Sequence, residues 1–232
     1  MKRRRPIVAI DGPVGSGKST VARELARELE FTHISTGAMY RAVAVAARDA
    51  GISDDAPDVE ARLSSLLAAI DLRLDGDRVI LGGRDISGKI STPEISDRAS
   101  KLSALAVVRA RMRELQRAAG RDGGIVMEGR DIGTVIFPDA EFKFFLDADA
   151  AVRAQRRFAQ LGVRGGTDTR EQVLADLQAR DRRDRQRQLA PLKRADDAIA
   201  IDSTHLGVAQ VVTRMRECVE RARPGAKGLK PK

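Results

Sequence analysis

The sequence predicts an α/β fold, with a parallel sheet that helices cover on both faces. Short apolar runs alternate with stretches of helical periodicity along most of the 232 residues. A glycine-rich loop joins the first apolar run, residues 7–10, to the first helical stretch, residues 20–29. A short unit with hairpin spacing around residues 75–77 interrupts this alternation. These observations together predict a parallel core with a small antiparallel insert.

The elements follow from local patterns, taken in chain order. The predicted strands are apolar runs bounded by turn residues, at 7–10, 31–35, 72–74, 79–81, 84–87, 124–128, 142–147 and 198–202. The predicted helices carry apolar residues three or four apart, at 20–29, 38–47, 59–70, from 93 onwards, 105–119, 150–161, 169–187 and from 206 onwards. Thr92 before Pro93 marks one helix start, and Thr169 with Gln172 forms a capping-box pattern at another.

Residues 12–19 fit the phosphate-binding pattern G-x-x-x-x-G-K-[ST]. Glycines allow backbone angles closed to other residues, so that N–H groups converge on phosphate oxygens at a helix N-terminus. Lys18 can reach the β- and γ-phosphates, and Ser19 can place a hydroxyl on Mg²⁺. The loop predicts a P-loop NTPase core that binds ATP and Mg²⁺ through Gly12, Pro13, Val14, Gly15, Ser16, Gly17, Lys18, Ser19 and Thr20.

Polar clusters follow other predicted strands. Thr36, Tyr40 and Arg41 come after the second strand, and residues 128–131 follow a buried one. Ligands of open α/β sheets bind beyond the carboxyl ends of the strands, so we expect both clusters beside the phosphate loop. A threonine before a glycine is also ordinary turn chemistry, which leaves Thr36 open between the two interpretations.

Arg180, Asp184 and Arg187 are spaced to share one helical face. Such a charge run usually forms a solvated helix face. Two guanidiniums around a carboxylate could instead hold a phosphorylated sugar, because arginine forks match phosphate oxygens. The arginines exceed the needs of one triphosphate, which favours phosphoryl transfer between two phosphates. No histidine pair offers an acid and a base. A monophosphate acceptor needs no general base, because its second pKa of about 6 leaves it an oxyanion near pH 7.

The composition limits the other classes of function. No apolar run reaches the roughly 18 residues of a membrane span, and residues 1–6 lack the apolar region of a secretory signal. The single cysteine, Cys218, excludes an internal disulfide framework and favours a cytoplasmic protein. A net charge of +9 leaves nucleic-acid binding open. One tyrosine, six phenylalanines and no tryptophan are few for base stacking.

From residue 7 to about residue 219 the sequence resembles the bacterial cytidylate kinases, of the nucleoside monophosphate kinase family. The resemblance rests on residues 10–13, 36–41, 128–138, 180–187 and 190–192. It implies three parts. The core covers residues 1–63, 102–148 and 169–222, a monophosphate-binding insert covers 64–101, and a lid covers 149–168. Residues 223–232 are expected to be a disordered basic tail.

The resemblance also implies roles for individual residues in the transfer of phosphate from ATP to CMP or dCMP. The acceptor phosphate would contact Thr36, Tyr40, Arg41, Arg130 and Arg187. Cytosine would face Ser100, Arg109 and Asp131, and Arg180 and Asp184 would reach the ribose and the phosphates. Catalysis would depend on Lys18, Arg130, Arg153, Arg157 and Arg187. Glu128, where aspartate is also common in the family, would order Mg²⁺-bound water with Ser19.

Two other interpretations remain open at this point. One is a monophosphate kinase with another base preference, such as one that uses both UMP and CMP. The other is a basic nucleic-acid-binding module that carries a phosphate loop. For the main interpretation we expect a monomer that needs neither nucleic acid nor a membrane.

Overall fold

The computed structural model describes residues 3–162 and 169–221. Its strands are β1 (Ile7–Asp11), β2 (Thr32–Ser35), β3 (Leu72–Asp75), β4 (Arg78–Leu81), β5 (Arg84–Asp85), β6 (Ile125–Gly129), β7 (Phe142–Asp147) and β8 (Ile199–Asp202). Its helices are α1 (Lys18–Leu29), α2 (Thr36–Asp49), α3 (Val59–Ala68), α4 (Pro93–Leu102), α5 (Ala106–Ala119), α6 (Ala150–Gly162), α7 (Arg170–Gln186) and α8 (Val208–Arg221). The predicted alternation of strands and helices is confirmed.

Five strands form one parallel sheet in the order β2-β6-β1-β7-β8. Successive side chains of a strand point to opposite faces, and β1 shows this directly. Ile7 and Ala9 belong to one hydrophobic cluster, whereas Val8 and Ile10 belong to another. The first cluster includes residues of α2, α3, α4 and α5, and the second includes residues of α1 and α8. Helices therefore cover both faces, as the sequence predicted.

The antiparallel unit is a three-stranded sheet in the order β3-β4-β5. Leu72 pairs with Leu81 and Asp75 with Arg78, and Gly76 turns the chain with φ of 58°. The third strand is shorter than predicted and ends at Asp85. The Asp85 carboxylate accepts hydrogen bonds from the backbone N–H (2.9 Å) and the hydroxyl (2.6 Å) of Ser87, which turns the chain out of the sheet.

Two helix starts agree with their capping patterns. Thr92 Oγ1 accepts a hydrogen bond of 3.2 Å from the Ile95 N–H, with Pro93 in the first turn. Thr169 and Gln172 make both bonds of a capping box, 3.3 and 2.7 Å long. Other boundaries differ. A π-helical turn over Ile132–Ile136 follows β6 and was not predicted.

Within residues 3–162 and 169–221, no helix is both long and apolar enough to span a membrane. The predicted tail, residues 223–232, lies outside the described residues, as does most of the loop expected in the lid, residues 163–168.

Candidate active site

The phosphate loop joins the end of β1 to the start of α1 at the carboxyl edge of the parallel sheet. Gly12 has φ of 152°, and a Cβ there would lie 2.0 Å from the carbonyl oxygen of Leu146 on β7. Gly17, directly before α1, has φ of 91°. L-side chains rarely adopt these angles, so glycine is required at both positions.

The loop forms the floor of a cavity of about 570 Å³, named here the phosphate-loop cavity. Arginines reach it from several elements besides the loop. They come from α2, from the end of β6, and from α6 and α7, and they are Arg41, Arg130, Arg156, Arg157 and Arg180. A cavity with backbone N–H groups on one side and guanidiniums on the others suits a ligand that carries several phosphates.

Lys18 is buried at the start of α1, with 4% of its surface exposed. Its ammonium group donates hydrogen bonds to the Pro13 carbonyl oxygen at 2.6 Å and to Ser16 Oγ at 3.2 Å. Burial and, to a smaller extent, the nearby Arg130 charge lower the pKa of Lys18 from 10.5 to about 7. The charged form of the side chain is therefore destabilised at this position until an anion compensates it.

Glu128 is a buried carboxylate between two hydroxyls. Its Oε1 accepts hydrogen bonds from Ser19 Oγ at 2.9 Å and from Ser35 Oγ at 2.6 Å. Burial raises the pKa of Glu128, but Lys18, the Ser35 hydrogen bond and Arg130 together hold it below its usual value. An ionised carboxylate beside a hydroxyl is an oxygen donor set of the kind Mg²⁺ prefers, so these residues fit the ion. The described residues contain no cluster of three or more His, Cys, Asp or Glu with metal-binding geometry.

A second, smaller cavity of about 50 Å³, named here the side cavity, lies beside the first. Eight residues predicted for substrate binding line it, namely Thr36, Tyr40, Ser100, Arg130, Asp131, Arg180, Asp184 and Arg187. The two cavities share Gly37, Arg130 and Arg180. Arg41 lines only the phosphate-loop cavity of the two. Thr36 also joins two elements, since its hydroxyl donates a hydrogen bond of 2.9 Å to the carbonyl oxygen of Glu128 on β6.

Charges of alternating sign run along the side cavity. Buried Arg109 pairs with Asp131 Oδ2, and Arg187 lies 3.6 Å from Asp131 Oδ1. Arg187 also lies 3.8 Å from Asp184 Oδ1, while Arg130 donates a hydrogen bond of 2.9 Å to Asp184 Oδ2. Each carboxylate therefore contacts two guanidiniums, which holds the arginines in fixed positions despite their mutual repulsion.

Several buried polar atoms at this site have no hydrogen-bond partner within the described part of the chain. They include Ser100 Oγ, Arg109 Nε and Arg180 Nε. Burial lowers the pKa of Arg180 to about 10, with a further contribution from the Arg130 charge. Buried polar groups without partners are costly, so their convergence indicates a polar, anionic ligand.

The predicted arginines of α6 do not behave alike. Arg157 lines the phosphate-loop cavity, whereas Arg153 lines neither cavity. Arg153 is buried and donates to the Ala148 carbonyl at 2.9 Å, the Val14 carbonyl at 3.0 Å and Asp181 at 2.5 Å. Its contacts tie α6 to the phosphate loop and to α7.

Three further residues contribute to this site and were not predicted from the sequence. Arg156 lines the phosphate-loop cavity and donates to the Ser203 carbonyl oxygen at 2.7 Å. Asp181 accepts from Arg153 and, at 3.4 Å, from the Val14 N–H. Asp11 accepts hydrogen bonds from two backbone N–H groups of the turn after β6, those of Ile132 and Gly133. Two signals were available in the sequence, namely the position of Asp11 directly before the glycine loop and that of Asp181 within the run 180–187.

Residues 8–221 match the family described as cytidylate kinase. The chain belongs to the cytidylate kinase family. A cytidylate kinase of Geobacter sulfurreducens (strain ATCC 51573 / DSM 12127 / PCA) is 48% identical over 231 residues, covering 97% of this chain and 98% of that protein. A bifunctional pantoate ligase/cytidylate kinase of Synechococcus sp. (strain JA-2-3B'a(2-13)) is 44% identical, covering 95% of this chain and 42% of that protein.

Solved structures share the fold at lower identity. An uncharacterized protein from Eubacterium ventriosum gives a TM-score of 0.52 at 13% identity, covering 94% of this chain and 99% of that one. TT1252 from Thermus thermophilus gives 0.50 at 23% identity, covering 95% and 99%. At these identities the matches show only that this chain shares its fold with the two structures.

Proposed function

We propose that this chain transfers the γ-phosphoryl group of ATP to CMP or dCMP, which gives ADP and CDP or dCDP. The observation that carries the proposal is the junction of the two cavities. Arg130 and Arg180 belong to both linings, so a phosphate in each cavity would meet the same guanidiniums. Membership of the cytidylate kinase family supports this direction of transfer.

On the donor side, the backbone N–H groups of the phosphate loop and Lys18 bind the ATP phosphates. Lys18 leaves the Pro13 carbonyl oxygen and gains a stronger, charged partner. Arg157 lies in the same cavity and compensates the charge that develops on the transferred group. Arg153 contributes by fixing Val14 rather than by reaching a phosphate.

On the acceptor side, Arg130, Arg187, Arg41 and Thr36 hold the phosphate of CMP. Asp131 accepts a hydrogen bond from the cytosine amino group, and Arg109 and Ser100 donate to the ring acceptors. In UMP the Asp131 carboxylate would face a carbonyl oxygen, so the two acceptors would repel each other. Asp184 and Arg180 contact the sugar and the phosphate.

An oxygen of the CMP phosphate attacks the γ-phosphorus, and the bond from that phosphorus to the β–γ bridging oxygen breaks to release ADP. The attacking oxygen is already an oxyanion near pH 7, because the second pKa of a phosphate ester is about 6. No general base is required. The protein acts by positioning and by neutralising charge.

Mg²⁺ would bind near the Ser19 hydroxyl, with Glu128 holding water around it. When bound, the ion neutralises charge on the phosphates of ATP. Ser19 and Glu128 already lie in hydrogen-bond contact, which places both oxygens on one side of the phosphate-loop cavity.

We further infer that residues 64–101 form a monophosphate-binding insert and residues 149–168 a lid. The insert contains the antiparallel sheet and residues of α4 that line the side cavity. The lid contains α6 with Arg156 and Arg157. We also propose that the active form is a monomer, which light scattering of the purified protein tests.

An assay of ADP release with ATP and Mg²⁺ tests the function across CMP, dCMP, UMP and AMP. We expect turnover with CMP or dCMP at high salt and without nucleic acid. Equal turnover with UMP would support a broader pyrimidine kinase instead. Salt-sensitive RNA binding without turnover would support the nucleic-acid module.

A further inference from the structure

Asp11 is a buried carboxylate at the end of β1, with 4% of its surface exposed. In the parallel register it lies opposite Gly129 at the end of β6. Its two oxygens are both used. Oδ1 accepts the Ile132 N–H at 2.8 Å, and Oδ2 accepts the Gly133 N–H at 2.8 Å.

These two N–H groups begin the π-helical turn Ile132–Ile136. The first N–H groups of a helical turn have no partner within the turn. Asp11 supplies that partner for two successive residues, and Asp131 is the residue immediately before them. The backbone that carries Asp131 is therefore fixed from the neighbouring strand.

The side chain of Asp131 contacts Arg109 and Arg187. Arg130, one residue earlier, contacts Asp184. A change in the turn would therefore move both the proposed base contact and the guanidinium shared by the two cavities.

Keeping Asp11 as a carboxylate is costly at this position. Burial raises the pKa of Asp11 to about 7, against the two backbone hydrogen bonds, which lower it. The Asp131 charge contributes to this raised pKa, and the Lys18 charge opposes it. A neutral residue would avoid this desolvation cost. The carboxylate instead offers two acceptor oxygens, one for each of the two backbone N–H groups.

We propose that Asp11 is a positioning residue for acceptor recognition, which holds the turn bearing Arg130 and Asp131 and so sets both CMP affinity and the preference for cytosine. The proposal rests on the proposed function. A rival role follows from the sequence, because Gly12 comes next and Asp11 could serve the phosphate loop instead. The two roles differ in which substrate loses affinity.

The test is Asp11→Asn, which keeps the shape and one acceptor oxygen. Its amide NH₂ group cannot accept the second backbone N–H. We expect the KM for CMP to rise about tenfold, since one charge-assisted hydrogen bond is lost and its donor left buried. The KM for ATP should change by less than about twofold, and the CMP-to-UMP ratio of kcat/KM should fall.

A double-mutant cycle adds a readout that a purely structural role would not move. If Asp11 acts through Asp131, the double variant of Asp11→Asn and Asp131→Asn should discriminate CMP from UMP no worse than Asp131→Asn alone. Fully additive losses of discrimination would overturn the proposal. Equal rises in the KM of ATP and CMP would assign Asp11 to the phosphate loop and also overturn it.

Glu141→Gln is the matched control. Glu141 Oε2 accepts the Ile7 N–H at 2.8 Å, at the opposite end of the same strand. This variant should leave both KM values and the base ratio unchanged. If Asp11→Asn does not fold, Gly133→Ala perturbs the same turn, because its Cβ would lie 3.2 Å from Lys143 Cδ and 3.3 Å from Lys143 Cγ, with Asp11 Oδ2 at 3.4 Å. An unchanged KM for CMP in that variant would overturn the proposal.

These outcomes are separable from a failure of the proposed function. A wild-type chain that releases no ADP with CMP contradicts the function itself. An active wild type with the wrong pattern of KM changes contradicts only the positioning role of Asp11.

Discussion

Replacing Lys18 by methionine should abolish phosphoryl transfer and at the same time stabilise the fold. Methionine keeps the apolar stem of the buried side chain and removes the ammonium group. The lost activity follows from the missing cation at the ATP phosphates. The gained stability follows from the lowered pKa of Lys18, because the unfolded chain holds this proton more tightly than the folded one.

The size of the gain in stability follows from the pKa values of Lys18 in the unfolded and folded states. The fall from 10.5 to about 7 destabilises the folded state by about 4 kcal/mol at pH 7.5, at about 1.4 kcal/mol per pH unit. Loss of the hydrogen bonds to Pro13 and Ser16 offsets about 1–2 kcal/mol. The net gain should be about 2–3 kcal/mol, or a Tm about 4–12 °C higher for a chain of this size.

The pH dependence has a definite sign. The unfolded state binds more protons than the folded state between pH 7 and pH 10.5, so the stability of the wild type rises with pH there. The variant lacks this contribution, and its advantage should shrink by about 2 kcal/mol from pH 7.5 to pH 9. Urea unfolding of both proteins at the two pH values measures it. A variant less stable than the wild type, or an advantage independent of pH, would refute the reasoning.

Three further variants test the site and the fold. Asp131→Asn should narrow the CMP-to-UMP ratio of kcat/KM while keeping an oxygen for Arg109, and an unchanged ratio would mean that Asp131 does not read the base. Arg157→Ala should lower kcat more than it raises the KM for CMP, since it removes a charge from the phosphate-loop cavity. Steady-state kinetics with CMP varied measure both values, and a change in CMP affinity alone would contradict this. Thr169→Ala should lower the free energy of unfolding by about 1 kcal/mol, because it removes the N-cap of α7. Thermal unfolding measures this, and an unchanged Tm would show that α7 does not need the cap.

Much of the fold was readable from short-range patterns. The strand at residues 142–147 was predicted with its observed bounds, and both capped helix starts agree with the structure. These features depend on residues close in sequence, where alternation and hydrogen bonding to the next turn decide the conformation. The π-helical turn after β6 escaped prediction because its first N–H groups bind Asp11, more than a hundred residues earlier.

Some features of the candidate site were likewise predictable from the sequence, and others depend on packing. The residue types of the phosphate loop are by themselves enough to indicate phosphate chemistry, whereas the run from Arg180 to Arg187 was also compatible with a solvated helix face. The spacing of the arginines on α6 could not distinguish Arg157 from Arg153. Arg157 lines the phosphate-loop cavity, whereas Arg153 donates hydrogen bonds to Val14 and Asp181. Both lie on α6, and only packing against another element decides which guanidinium faces a ligand.

The sequence by itself determined the phosphate loop, the alternation of strands and helices and the family of this protein, because each is encoded in contiguous residues. The tertiary structure alone decided the strand order, the meeting of two cavities at Arg130 and Arg180, and the contact of Asp11 with the turn after β6. The physical reason is that these contacts join segments far apart in the chain. Their geometry depends on how the sheet and its helices pack, which no local pattern specifies.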